Sequence, residues 1–267
     1  MVLSKKMSKS QPKAKPQPKK ATVIKTEKIS ANMQRVTLHA DEFKDFPEHC
    51  EGSYIKLLFS AQGSTDPSML AEGERPVMRT YTIAEFSRSE CTIDVDFVRH
   101  ETSDSGCGFA ARWAMNALVG DNIYVGGPGL ILDINSDADW FFAVADMTAL
   151  PALSAKIRNL PKDAKGYAVI KVIERDDIRS IDAPENIQVM WLLESESLIE
   201  QVQVLPWLPG KVSVWVACEF DDMRALRGYF RNEKEVEKDN IYISSYWKSG
   251  VTEDGHKVIK REDAEAN

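Results

Sequence analysis

Arg79-Thr80-Tyr81-Thr82-Ile83-Ala84-Glu85-Phe86 is the stretch on which the rest of the chain is read. Its β-branched and aromatic residues, with partial alternation of polar and apolar side chains, predict a strand. Two residues apart, Arg79 and Tyr81 fall on one face of that strand. A guanidinium is a planar, permanently charged fork suited to a phosphate. A phenol ring is a flat surface for a fused ring system, with a hydroxyl for a polar edge. Taken alone, these residues fit the solvent face of an ordinary strand equally well, so their surroundings must decide.

Outward from this stretch, residues 21–135 read as short β runs. Strands are expected at 23–29 and 33–38, broken by a Ser30-Ala31-Asn32 turn, and at 54–59, 79–86, 91–98 and 122–125. Residues 61–74, rich in Gly, Ser, Asp and Pro, read as a loop, and 41–49 as a short turn or helix. About six strands and one helix, at 109–118, suit a small closed antiparallel barrel. From residue 136 the pattern changes. Trp140-Phe141-Phe142-Ala143-Val144-Ala145 is an unbroken apolar run, as in a strand buried on both faces. Helices at 148–159, 197–204 and 221–232 alternate with strands at 167–173, 187–193, 212–217 and 241–244. A helix at 252–266 closes the chain, with Gly255 counting against it. Such alternation predicts a doubly wound parallel sheet, with ligands bound outside the carboxyl ends of its strands.

At 267 residues the chain has room for two domains. A formal net charge of −7 argues against nucleic acid as a partner. No apolar run approaches the roughly 20 residues of a membrane span. Residues 1–20 hold seven lysines, three prolines and no acid, and no apolar stretch follows the lysines. They read as a flexible basic tail rather than a secretory signal, and a cytoplasmic, monomeric protein is expected. The remaining 27 basic and 41 acidic residues give the rest of the chain about −14. Cys50, Cys91, Cys107 and Cys218 are dispersed, without a Cys-x-x-Cys pair, so neither an iron–sulfur cluster nor structural zinc is indicated. No nucleophilic triad, paired-carboxylate set or metalloprotease helix is evident.

The Arg-x-Tyr-Thr strand is followed by Asp94-Val95-Asp96-Phe97-Val98-Arg99-His100 and Gly106-Cys107-Gly108-Phe109-Ala110-Ala111-Arg112-Trp113. Further on come Ala149-Leu150-Pro151-Ala152 and Ser245-Tyr246-Trp247-Lys248-Ser249-Gly250. In this order, from about Ala21 to the end, the chain resembles the siderophore-interacting proteins, FAD-containing ferric-siderophore reductases of the ferredoxin-reductase-like superfamily. The resemblance implies a flavin-binding barrel over 21–135 and an NAD(P)H-binding-like α/β domain over 136–267. Within the Arg79, Thr80, Tyr81, Thr82 segment it puts Arg79 on the flavin pyrophosphate, Tyr81 beside the isoalloxazine and Thr82 near the reactive nitrogen. Asp96, Phe97, Val98 and His100 form the next flavin segment, contacting it mostly through the main chain. Gly108, Ala110 and Ala111 belong to a turn into a helix whose first N–H groups suit a phosphate. Ala111 stands where many members carry a hydroxyl residue, and Trp113 lies on the adenine side, which favours FAD over FMN.

On the α/β domain the resemblance implies an electron-donor site at Asp146, Thr148, Ala149, Glu219, Tyr246 and Trp247. Members typically have glycine where this chain has Ala145 and Cys218. Glycine there allows a dinucleotide to approach the backbone. Two outcomes stay open: a donor such as ferredoxin, with weak NAD(P)H binding, or a methyl and thiol small enough to be tolerated. By family position an anionic ferric siderophore would meet Lys56, Lys248, Lys257, Lys260 and Arg261. The implied function is cytoplasmic reduction of siderophore-bound Fe(III) to Fe(II) by FAD, with electrons from NAD(P)H or ferredoxin. A general NAD(P)H–flavin or ferredoxin reductase and a non-catalytic siderophore carrier are the alternatives.

Overall fold

The computed structural model describes residues 17–70, 72–100, 108–130, 134–135 and 137–265. β1 (Lys19–Ser30), β2 (Met33–His39), β3 (Tyr54–Phe59), β4 (Val77–Ser87), β5 (Thr92–Val98) and β6 (Asn122–Gly129) form a closed antiparallel barrel, in the order β1-β2-β5-β4-β3-β6. Alternate residues fill its interior, as a period of two requires. Ile55, Leu57, Phe59, Ile93, Val95, Phe97, Ile123 and Val125 are all buried there. α1 (Phe109–Asn116) adds Phe109, Ala110 and Ala114 to the same core.

The barrel is not evenly sealed. β4 pairs with β3 over residues 77–82, but with β5 only from Ile83, next to a register shift between Ile83 and Glu85. Among the described residues, 77–82 therefore have a strand on one side only.

The second unit comprises β7 (Trp140–Asp146), α2 (Leu150–Arg158), β8 (Lys165–Val172), β9 (Asn186–Leu193), α3 (Leu198–Val204), β10 (Val212–Glu219), α4 (Phe220–Arg227), β11 (Ile241–Trp247) and α5 (Glu253–Glu265). Its five strands are parallel, in the order β11-β10-β7-β8-β9. Every residue of β7 is buried. α2 shares one core layer with Phe141, Ala143 and Ala145, while α3 and α4 share the other with Phe142 and Val144. The chain runs outward from β7 to β9 and returns at β10. The carboxyl ends of β7 and β10 thus flank the switch point where such sheets bind ligands.

Some bounds differ from the sequence reading. β1 begins inside the expected tail, because Lys19 and Lys20 pair with Val125 and Tyr124. The Lys19 ammonium lies 5.0 Å from the centre of the Phe46 ring, a use of cation and stem together. Residues 1–16 lie outside the described residues, as do Gly106 and Cys107. The helix expected at 221–232 is α-helical only to Arg227; residues 228–233 widen into a π turn. That turn carries two consecutive aromatics, Tyr229 and Phe230, both buried. Gly255 does not interrupt α5: a Cβ there would lie 2.7 Å from Val251 Cγ1, so close approach explains the glycine.

Barrel and sheet are joined by apolar and ionic contacts. Met33 is buried in the α2-side core layer, with Ile29 and Val98 packed against it. Asp96 accepts from Arg35 Nε (2.6 Å) and Arg35 Nη2 (2.9 Å) within the barrel, and from Arg179 Nη2 (3.4 Å) across the junction. Asp177, 1% exposed, accepts from Ser30 Oγ (2.6 Å), Asn32 N (2.7 Å) and Asn32 Nδ2 (2.9 Å) at the β1–β2 turn. Burial raises the Asp177 pKa, but the bonds from Ser30, Asn32 and Glu174 outweigh it and hold the group below the usual carboxylate range. Its contribution is therefore present above the unfolded carboxylate pKa and lost as pH falls through the folded value. Asp177→Ala is expected to cost about 3 kcal/mol of unfolding free energy at pH 7, measured by urea titration. The deficit should shrink in acid; a loss of equal size at pH 7 and in acid would refute the assignment.

Candidate functional site

The open half of β4 carries the residues singled out in the sequence. Arg79 is 8% exposed; its guanidinium stacks 5.4 Å from the centre of the Phe109 ring. It donates to Met78 O (3.1 Å) and Asp254 Oδ2 (3.3 Å). The Thr80 N–H, on the strand's unpaired side, donates to Glu253 Oε2 (3.1 Å), and its hydroxyl to Glu253 Oε1 (2.8 Å). Lys56 Nζ donates to Thr80 Oγ1. The Tyr81 ring lies 4.4 Å from Phe97, which in turn meets Trp113 edge-on at 5.8 Å. Burial first, then Glu253, pushes the Tyr81 pKa above that of a free phenol, so it stays protonated. Thr82 is buried.

These residues fit an FAD. An aromatic wall, an unpaired backbone edge and a buried arginine are the three things a flavin dinucleotide needs. The Asp254 carboxylate on Arg79 shows that this arginine takes an anionic partner. α1 starts at Gly108, a cap in the left-handed region (φ 65°), and among the described residues its first turn has no side-chain cap bond and no acid. Such a helix start favours an anion. Ala110 and Ala111 of that turn are buried.

Two members of the expected flavin segment, whose contacts are expected mostly from the main chain, direct their side chains elsewhere. The Asp96 carboxylate is spent on Arg35 and Arg179, and Val98 packs toward the α/β core. Alternation along β5 puts both on the outer face, opposite Phe97. His100 is exposed, with Nδ1 3.1 Å from Val98 O.

At the switch point, Asp146 Oδ1 accepts from Thr148 N (2.9 Å) and Thr148 Oγ1 (2.5 Å), and Oδ2 from Trp247 Nε1 (2.7 Å). Burial raises the Asp146 pKa and these bonds oppose the rise. Glu219 caps α4 through the Asp221 and Asp222 N–H groups, and its Oε1 accepts from Ser249 N (3.0 Å). Trp247 is 41% exposed, whereas Tyr246 packs into the α2-side layer and Ala149 is buried under the turn before α2. Ala145 and Cys218 bear on the donor, for which the sequence leaves two outcomes open. Both are 0% exposed, one side chain in each core layer. Neither side chain stands at the surface that a dinucleotide would meet, which favours the outcome in which methyl and thiol are tolerated. Burial, followed by Asp146, Asp222 and Glu219, also raises the Cys218 pKa far above an ordinary thiol.

Three of the five candidate substrate residues come together. Lys56 on β3 lies close enough to Lys257 and to Lys260 of α5 to repel each, and Lys260 Nζ donates to Ser244 Oγ (2.6 Å) and Ser245 O (3.0 Å). Desolvation and, in second place, Lys56 lower the Lys260 pKa. Lys248 is engaged elsewhere, 2.8 Å from Asp221 Oδ2 and over the Phe220 ring. Arg261 is exposed on α5. Glu253 and Asp254 were not anticipated. Each lies over 170 positions from its β4 partner, and the sequence marks them only as acids at a helix start.

Residues 22–131 match the model of the siderophore-interacting FAD-binding domain, and 138–250 that of the siderophore-interacting protein. The chain is 32% identical over 254 residues to the ferric vibriobactin reductase of Vibrio cholerae, covering 90% of this chain and 92% of that one. It is 26% identical over 239 residues to an NADPH-dependent ferric-chelate reductase of Escherichia coli, covering 85% and 91%. The crystal structure of a siderophore-interacting protein from Aeromonas hydrophila superimposes with a TM-score of 0.82 at 28% identity, over 93% of this chain and 98% of that one.

The Asp146–Trp247 bond is open to direct test. In Asp146→Ala the Trp247 indole N–H resonance, identified by its absence in Trp247→Phe, is expected to move upfield. An unmoved resonance would mean that the bond does not persist in solution.

Proposed function

The chain belongs to the siderophore-interacting protein family, and from that premise we propose that it is an FAD-dependent reductase of siderophore-bound Fe(III) that draws its electrons from NAD(P)H. The observation that carries this reading is the unpaired edge of β4 over residues 77–82, beside the buried Arg79. Arg79 and the α1 start at Gly108 would hold the pyrophosphate, Tyr81, backed by Phe97 in the barrel core, would wall the ring system, and Thr82 would meet its polar edge. FAD, when bound, supplies one-electron transfer to a ferric ion, which the protein need not ligate. In the reduced state iron is held less tightly by hard oxygen donors, so the chelate releases it.

NAD(P)H is favoured over ferredoxin because the Ala145 and Cys218 side chains are directed into the core layers and do not intrude on the carboxyl ends of β7 and β10. The relative from Escherichia coli, named as NADPH-dependent, supports the same donor. Asp146, Thr148, Glu219 and Trp247 would border it. Lys56, Lys257 and Lys260 would receive an anionic chelate, whose arrival they would speed on a chain that is acidic overall. Among the described residues no helix is long and apolar enough to cross a membrane. A cytoplasmic site of action fits iron that arrives already chelated.

An anaerobic absorbance titration tests the whole reading. The flavin bands of the purified protein are expected to bleach with stoichiometric NADPH or NADH and to recover on adding a ferric siderophore. Bands that resist both nucleotides but bleach with reduced ferredoxin would overturn the donor. Absence of flavin bands after addition of FAD would overturn the function. Arg79→Gln should weaken FAD binding by on the order of tenfold or more, as loss of a charge-assisted pair implies, read from the fluorescence of released FAD.

A further inference from the structure

Glu253 sits where an anion would sit. Its carboxylate accepts the Thr80 N–H and hydroxyl (3.1 and 2.8 Å), and Lys257 Nζ lies 3.3 Å from Oε1. Lys56 reaches the same point through Thr80 Oγ1. Two neutral donors and the Lys257 ammonium thus converge on one carboxylate supplied by the chain itself, with Lys56 held one bond away through the Thr80 hydroxyl. Asp254 repeats the arrangement one residue on, between Arg79 (3.3 Å) and Lys257 (3.2 Å). α5 is fastened at its far end as well, where Asp263 takes a two-pronged bond from Arg227 (2.6 and 2.8 Å). His256, 5% exposed, lies 2.8 Å from Ser245 Oγ. The carboxylate is therefore presented by a helix held along its length, not by a free side chain at the surface.

A fixed negative charge among lysines has two effects on an incoming chelate. It reduces the attraction that the lysines exert, and it opposes each added negative charge on the ligand. A neutral chelate feels neither. We propose that Glu253 is a specificity-determining residue, which lowers the affinity of the Lys56–Lys257–Lys260 face for polyanionic ferric chelates relative to chelates of low net charge. This rests on the reading of that face as the chelate site. Burial lowers the Lys56 pKa, Glu253 opposes that shift and Lys257 adds to it, as expected if the three groups share one field.

The test is calorimetric titration of the FAD-loaded protein, wild type and Glu253→Gln, with redox-inert gallium(III) complexes. One is a trianionic tris-catecholate, the other a neutral tris-hydroxamate. Glutamine keeps an acceptor for the Thr80 N–H and removes the charge, its amide NH2 replacing the second oxygen beside the Thr80 hydroxyl. The variant is expected to bind the trianion on the order of tenfold tighter, with the neutral complex shifting by less than about twofold. That difference should close at about 1 M salt, where screening acts over roughly 3 Å. Equal shifts for both complexes, or a trianion bound no tighter by Glu253→Gln, would overturn the proposal. Reduction of the two iron(III) complexes by wild type with NADPH is followed in parallel. Turnover with equal calorimetric shifts refutes the role of Glu253 alone; wild type that binds neither complex removes both the role and the chelate site.

Discussion

Everything at the site depends on where β4 stops pairing with β5. A closed barrel has no free edge, yet residues 77–82 are left with one, because β5 pairs with β4 only from Ile83 onward, beside the register shift between Ile83 and Glu85. On the opposite side of β4 the 50–53 turn carries the β3 pairing on to Ile83. Gly52 N–H donates to Ile83 O (2.8 Å), and Ile83 N–H donates to Ser53 O (2.9 Å). Gly52 makes this possible: its φ is 80°, and a Cβ would stand 3.2 Å from the Ala155 Cβ on α2. The turn that extends the β3 side of the barrel thus also presses against the other domain. Backbone groups left free on the β5 side of residues 77–82 need partners, and at Thr80 the chain provides one from α5.

The gap between the domains is set by buried acids. Asp96 and Asp177 each sit at the junction with side chains out of contact with water or nearly so, and each is met by several donors. Burying a carboxylate is costly unless its lone pairs are filled, so such a pair tolerates little displacement of one domain against the other. Met33 adds apolar burial at the same place. Glu253 and Asp254 differ in kind. They are more open to water, and both face Lys257 as well as the strand.

The architecture was legible because it depends on local period: two in the barrel, unbroken apolar runs in the parallel sheet, and helical spacing between them. The flavin strand was legible because Arg79 and Tyr81 are themselves the signal. What escaped depended on pairing at long range. Asp96 lies in the segment expected to meet the flavin through its main chain; that its carboxylate pairs with Arg35 follows from the register of β2 against β5, which no local pattern reveals. Ala145 and Cys218 were read by position along the strand, whereas the direction of their side chains into the core decides what they touch. Lys19 and Lys20 carry the composition of a tail but take part in strand pairing that closes the barrel.

One short segment ties the two halves of the site together. After β11, Trp247 is bonded to Asp146, Lys248 to Asp221 and the Ser249 N–H to Glu219, three successive anchors on the carboxyl ends of β7 and β10 and the start of α4. Thr252 then caps α5, its hydroxyl accepting the Gly255 N–H (3.2 Å), and the next two residues bond to Thr80 and Arg79. The close approach of Gly255 to Val251 removes slack between the two sets of anchors. A segment pinned at both ends cannot move at the sheet without straining its hold on the barrel strand. The edge that would meet an electron donor and the edge that would meet an acceptor are therefore positioned by the same few residues, which is how a two-domain chain keeps both at one junction.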